Sequence, residues 1–146
     1  MRGDDDLVLI VEDDEDDRAL IARAFKRAKV EVPLQFAQDG DEALQALGAI
    51  ASGASHPPPS VVLLDLKLPR RSGFEVLEWM KQHVTMRRVP VVILTSSQES
   101  TDLKRAYDLG ANSYLVKPAK PDALLAMVER IDAYWLKLNK AAAQSQ

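Results

Sequence analysis

Four apolar runs in this chain each end on a side chain that could do chemistry. Glu12 and Asp13 follow LVLIV, Asp65 follows VVLL, Thr95 follows VVIL, and Lys117 follows SYLV. Taken singly each has an ordinary explanation, since an Asp after a strand forms turns, a Thr caps helices and a Lys is solvated. Falling on successive strand ends, they form a joint pattern. Three carboxylates brought within several ångströms repel one another, by about 4 kcal/mol per pair at about 4 Å and an effective dielectric near 20. They need a cation. Oxygen ligands with positions left for water suit Mg²⁺, which is commonly held by one or two carboxylates together with a phosphoryl group. Calcium is disfavoured, because no loop of repeated oxygen ligands closes on a bidentate Glu. An ammonium from Lys117 and a hydroxyl from Thr95 complete a pocket for a phosphoryl group. An ionised Asp65 can itself take that group as an acyl phosphate, the chain supplying placement and charge neutralisation.

Other chemistries are excluded by composition. The chain has no cysteine, which removes disulfides, thiolate metal sites and thiol nucleophiles together. Its two histidines, His56 and His83, lie near no ligand cluster, so a histidine zinc site or a catalytic triad is not expected. A net charge of −3 without a basic stripe argues against nucleic acid as a direct partner. No apolar run approaches the roughly 18 residues that would span a bilayer, and MRGDDD is the opposite of a signal peptide, so the expected location is the cytoplasm.

The elements that must position these residues alternate regularly. Leu7–Val11 reads as a first strand buried on both faces. A helix follows from about Asp14, with Leu20, Ile21, Ala24, Phe25 and Ala28 on one face; Asp14 to Asp17 are expected to be its solvated, dipole-compatible start. Val32–Ala37 is a shorter second strand, and Asp39-Gly40 turns the chain into a helix bearing Ala43, Leu44, Leu47 and Ile50. Ser52–Ser60 is a breaker-rich loop with His56 exposed in it. After the strand Val61–Leu64, Pro69 and Ser72-Gly73 impose a loop before a helix with Phe74, Val76, Leu77 and Met80, Trp79 lying at its edge. Val89–Leu94 is a fourth strand, the next helix runs from about Glu99 to a left-handed cap at Gly110, and Ser113–Val116 is a fifth strand. A last helix from Pro121 carries Leu124, Leu125, Val128, Ile131, Tyr134, Trp135 and Leu138. Five strands alternating with five helices predict an α/β, flavodoxin-like, doubly wound parallel sheet over residues 1–140, with 141–146 a disordered tail. For the strand order 2-1-3-4-5, ligands lie where the order reverses, between strands one and three. Glu12, Asp13 and Asp65 would gather there.

These motifs together resemble a response-regulator receiver domain, the phosphoacceptor half of two-component signalling. The resemblance rests on LVLIVEDD with Glu12 and Asp13, VVLLDLKLP with Asp65 and Pro69, Gly73, VVILTSS with Thr95, and SYLVKP with Lys117 and Pro118. Thr95 and Lys117 also lie 30 and 52 positions after Asp65, as in that family. It implies that Asp65 is phosphorylated by a phosphohistidine on a sensor histidine kinase. It implies that Asp13, Asp65 and the main-chain carbonyl of Lys67 bind Mg²⁺, Glu12 acting chiefly through bound water. Lys117 would pair with Asp65 and then with its phosphoryl group, Thr95 would move to hydrogen-bond that group, and Tyr114 would be the aromatic switch that rotates inward. Pro118 would follow a cis peptide bond that aims Lys117. Such a protein is a signalling phosphoacceptor that catalyses its own phosphorylation and slow dephosphorylation; it is not a metabolic enzyme.

Lys67 departs from the common pattern, which has a polar residue such as Asn two positions after the acceptor. A lysine there could contact the phosphoryl group or pair with Glu12, altering the phosphoryl lifetime. The chain ends after its fifth helix, so an attached output domain is not expected and the signal would leave through surfaces. The long loop before strand three and the IDAYWLKL ending resemble single-domain regulators of phytochrome-type histidine kinases, and Tyr134, Trp135 and Leu138 suggest a homodimer face. A phosphorelay intermediate or phosphate sink for an unrelated kinase is the alternative for this narrower role. Three other classes fit less well: a switchless binding module would not need the full acceptor set, a phosphohydrolase would place an Asp where Lys67 stands, and a flavin protein would want Ser/Thr/Gly loops after strand one.

Overall fold

The computed structural model describes residues 6–53 and 57–138. His56, the 141–146 tail and the side chain of Leu138 lie outside the described residues. Twelve elements follow one another: β1 (Val8–Val11), α1 (Glu15–Arg27), β2 (Leu34–Ala37), α2 (Gly40–Ala51), β3 (Val61–Leu64), α3 (Gly73–Gln82), a 3-10 turn (Met86–Arg88), β4 (Val91–Thr95), α4 (Ser100–Asp108), β5 (Ser113–Val116), α5 (Pro121–Ile131) and a π-helical segment (Asp132–Leu138). The five strands form one parallel sheet in the order β2-β1-β3-β4-β5, the order expected from the alternating pattern.

The unbroken apolar runs of β1, β3 and β4 exist because successive residues face opposite cores. Leu9, Val11, Val62, Leu64, Val91 and Ile93 join Ala43, Leu47, Leu77 and Met80 under α2 and α3. Val8, Ile10, Val61, Leu63, Val92 and Leu94 join Ile21, Phe25, Leu124 and Val128 under α1 and α5. Each large side chain buried this way contributes about 1.5–3 kcal/mol, which fixes the strand register that the site depends on.

Two strands, β2 and β4, begin two residues later than the apolar pattern suggests, for one reason. Pro33 and Pro90 have no N–H, so each serves the ladder only as an acceptor, to Val8 N and Val62 N at 3.0 and 2.9 Å, and regular pairing starts one residue on. Val32 and Val89 are buried all the same. Helix ends follow their caps. Asp14, Asp39 and Ser72 each accept a backbone N–H three residues on, and Ser72 with Glu75 forms a reciprocal capping box. Gly110, at φ +104°, closes α4 with the paired bonds Ala111 N to Ala106 O and Gly110 N to Tyr107 O.

The last helix departs from the 3.6-residue reading. At Asp132 it widens to π geometry, supported by a Lys137–Asp132 ion pair at 3.1 Å across five positions. The wider turn rotates the buried face, so Leu136 enters the core and Tyr134 is left 52 % exposed. Among the described residues no helix is long and apolar enough to cross a membrane.

Candidate functional site

The backbone ladder continues one step past β1 and β3. Glu12 N donates to Ala37 O at 3.0 Å and Asp65 N to Val11 O at 3.1 Å, which sets Glu12 and Asp65 side by side at the carboxyl edge where strand order reverses. Both are buried, at 2 % and 5 % exposure, while Asp13 faces solvent. Carboxylate oxygens of Glu12, Asp13 and Asp65 lie within 4.8 Å of one another, an arrangement able to hold a divalent cation. The cluster anticipated from strand ends is therefore assembled, with one group open to solvent from which an ion can enter.

Lys117 comes in from the end of β5. Its N–H donates to Thr95 O at 2.8 Å, and its ammonium meets Asp65 Oδ2 at 2.9 Å and Asp17 Oδ2 at 3.1 Å and contacts Glu12 Oε1. Burial pushes the Glu12 carboxyl up to about 7, even against the Lys117 ammonium and the Asp14 N–H that both favour its charged form. Burial also pulls the Lys117 ammonium down, but hydrogen bonds and charge from Glu12 and Asp65 together outweigh it and hold Lys117 above the usual lysine range. The Lys117–Pro118 peptide is not cis; no peptide bond among the described residues is. Trans is the intrinsically preferred isomer by about 0.5–1 kcal/mol before proline, and from it the ammonium already reaches its carboxylates.

Thr95 is fully buried at the end of β4, and its hydroxyl accepts from Ser97 N at 3.4 Å. Tyr114 is half-buried, with its hydroxyl donating to Ser97 O at 3.1 Å. Both proposed switch residues thus hold the two ends of one residue, Ser97, whose own hydroxyl donates to Asp102 at 2.6 Å and accepts from Glu99 N. Lys67 is exposed; its N–H donates to Asp65 Oδ1 at 3.3 Å, and its side chain makes no ion pair among the described residues. The pairing of Lys67 with Glu12 that the sequence allowed is taken by Lys117.

Several contributors escaped the sequence reading. Arg18 donates to the carbonyls of Glu12 and Asp13 at 2.9 and 3.0 Å, pinning the acidic turn from α1. Asp17, read as part of a solvated helix start, turns into the site and pairs with Lys117. Gly73, which the sequence reading placed in this loop, permits the β3–α3 connection to fold back, since a Cβ there would sit 2.1 Å from Asp65 O. Asp17 gave no sequence signal apart from its acidic neighbours, because its partner lies 100 residues away. His83 is structural: its Nδ1 accepts from Thr85 N and Met86 N, and its ring packs on Trp79 at 4.8 Å.

The model of the response regulator receiver domain family matches residues 8–129. The probable methanogenesis regulatory protein FilR2 of Methanothrix harundinacea is 41 % identical over 135 residues, covering 92 % of this chain and 86 % of FilR2. Response regulator Rcp1 of Synechocystis sp. is 35 % identical over 131 residues, covering 90 % of this chain and 89 % of its own; the Mn²⁺-bound form of response regulator Rcp1 superposes with a TM-score of 0.78 over 93 % of this chain and 98 % of that one, at 33 % identity. The phosphorylated cyanobacterial phytochrome response regulator RcpA superposes with a TM-score of 0.85 at 34 % identity, over 94 % of this chain and 98 % of its own. With its sheet order, its acidic cluster and its half-buried lysine in place, the chain belongs to the response-regulator receiver domain family, signalling proteins that partner histidine kinases.

Proposed function

We propose that this receiver takes a phosphoryl group from a phosphohistidine of its kinase onto Asp65. The observation that carries this reading is the register of β1 and β3, which sets Glu12 beside a buried Asp65 and lets Lys117 contact both. Asp13, Asp65 and the Lys67 carbonyl would hold Mg²⁺, with Glu12 acting through bound water. When bound, the cation offsets the charge of the carboxylates and of the incoming phosphoryl oxygens.

In the transfer an Asp65 oxygen forms a bond to phosphorus as the P–N bond of the phosphohistidine breaks, its electron pair returning to the imidazole. Lys117 places positive charge where equatorial oxygens gather it, and burial of Asp65 excludes competing water. Thr95 then exchanges the Ser97 N–H for a phosphoryl oxygen, and Tyr114 leaves the Ser97 carbonyl to rotate inward. Attack of water on phosphorus later breaks the Asp65 O–P bond, releases inorganic phosphate and restores the carboxylate, so the chain catalyses its own phosphorylation and slow dephosphorylation.

A phytochrome-type kinase in the cytoplasm is the partner favoured by the likeness to RcpA. The likeness to FilR2, a probable methanogenesis regulatory protein by its name, favours a partner unrelated to phytochromes, and with such a kinase the second reading is a relay intermediate or phosphate sink. Phosphotransfer separates them: a radiolabelled phytochrome-type kinase should pass its label to this chain within seconds to minutes, as an alkali-labile adduct. Transfer from an unrelated kinase alone would select the second reading. A homodimer through Tyr134 and Trp135 is also proposed. They border a groove of about 560 Å³ with Leu115, Met127 and Ile131; sizing by light scattering before and after phosphorylation, with Tyr134→Ser as control, tests it.

A further inference from the structure

The Lys117 ammonium has three donors and meets three carboxylates, of which two, Glu12 and Asp65, belong to the cluster that can hold a cation. Asp17 is the third, and it comes from α1, outside that cluster. Asp17 has a plain structural use as an acidic residue in the first turn of its helix, and its N–H donates to the Asp14 cap at 2.9 Å. Its neighbour Asp16 shares that use but is exposed and makes no hydrogen bond or ion pair at the site among the described residues. Helix stabilisation therefore does not account for Asp17 turning 3.1 Å onto the ammonium of a residue 100 positions away.

A divalent cation bound at Glu12, Asp13 and Asp65 competes for two of the carboxylates that hold Lys117 and repels its ammonium. With only those two partners, the flexible lysine stem would swing toward solvent as the cation arrives. We propose that Asp17 is a positioning residue for phosphorylation: it keeps the Lys117 ammonium in the site while a cation occupies the acidic cluster, so that the ammonium is in place when the phosphoryl group arrives. This rests on Asp65 being the acceptor. With acetyl phosphate as donor, the Asp65 oxygen bonds to phosphorus, the bridging P–O bond breaks, and acetate departs with the electron pair. Asp17 takes no part in these bonds and acts only through Lys117.

The test combines two measurements on the full chain with Mg²⁺ present. The first follows the Lys117 ammonium by ¹⁵N NMR, reading its hydrogen exchange. The second follows acetyl phosphate labelling by intact mass. Asp17→Asn should speed ammonium exchange and slow labelling about three- to tenfold, the size expected for loss of one partly exposed charge-assisted contact. Asp17→Glu should restore both, and Asp16→Asn should change neither. In a Lys117→Ala background, Asp17→Asn should have no further effect on the labelling rate. If Asp17→Asn behaves like Asp16→Asn in both measurements, or slows labelling equally without Lys117, the proposal is overturned. Failure of the unsubstituted chain to label would overturn the Asp65 reading instead, and the ammonium exchange would still decide whether Asp17 holds Lys117.

Discussion

The carboxyl edge of the sheet has two halves built on opposite principles. Beyond β1 and β3, Glu12 and Asp65 are acidic groups held almost entirely out of water, the half-buried Lys117 reaches over them from the end of β5, and the acids outnumber the ammonium that serves them. Beyond β4 and β5, Thr95, Ser97 and Tyr114 are neutral, and each hydroxyl has a partner. The first half carries excess negative charge that a cation would relieve, which gives it affinity for ligands and makes it costly to perturb. In the second half Thr95 and Tyr114 are held to the Ser97 backbone by single neutral hydrogen bonds, each of modest net value, and the one charge-assisted bond named there ties the Ser97 hydroxyl to Asp102. That difference suits the function proposed above: the acidic half would do the chemistry, and the hydroxyl half could rearrange at little cost once it is done.

Removing the one counter-charge should give the largest effect. Lys117→Met would leave Glu12 and Asp65 buried together without it, and in chelator the chain should lose about 3–5 kcal/mol of stability by urea denaturation. Added Mg²⁺ should recover more of that loss than it adds to the unsubstituted chain, because the cation replaces the missing positive charge.

A pH series should separate the halves next. Folding raises Glu12 from its ordinary value to about 7, so between roughly pH 4.5 and 7 the folded chain holds a proton that the unfolded chain has released. Stability in chelator should therefore fall as pH rises through that window and level off above it, relative to Glu12→Gln, which should lack this component. Lys117 does not interfere, because its raised value keeps its contribution complete below its ordinary range near 10.5 and loses it only on further rise through the folded value. Mg²⁺ binding should tighten over the same window as the proton leaves Glu12.

On the hydroxyl side the effects should be smaller. Thr95→Val leaves the Ser97 N–H without its acceptor and should cost about 1–3 kcal/mol, whereas Tyr114→Phe frees only a carbonyl with a second lone pair and should cost about 1 kcal/mol or less. Equal or larger losses here than at Lys117 would dissolve the contrast between the halves. Smallest in stability is Lys67→Asn, which should be near neutral because the side chain is exposed and unpaired among the described residues, yet should change the lifetime of the phosphoryl adduct. An unchanged dephosphorylation rate would remove Lys67 from the account.

What was readable in the sequence tracks how local its cause is. The apolar runs of β1, β3 and β4, the Asp39-Gly40 turn and the Gly110 cap are written in adjacent residues, and each is found in place. Strand starts at β2 and β4 were misplaced because apolar character continues through Pro33 and Pro90 while hydrogen-bond donors do not. The π segment was missed because a 3.6-residue stripe was extended past Ile131, where packing of Leu136 decides the geometry. Within the site, residues at strand ends were legible because parallel strands deliver their ends to one edge. Asp17, Arg18 and Ser97 were not, because their roles depend on contacts that arise only when α1, β4 and β5 are docked around that edge. The expected cis bond at Pro118 failed for a related reason: it was inferred from resemblance, and this chain aims Lys117 from a trans peptide.

The central claim is that Asp65 is the covalent acceptor, and intact-mass measurement after incubation with acetyl phosphate and Mg²⁺ tests it most directly. The unsubstituted chain should gain the mass of one phosphoryl group, lost again on brief alkali treatment, and Asp65→Asn should gain none. An adduct that persists in Asp65→Asn, or no adduct on the unsubstituted chain, would contradict it.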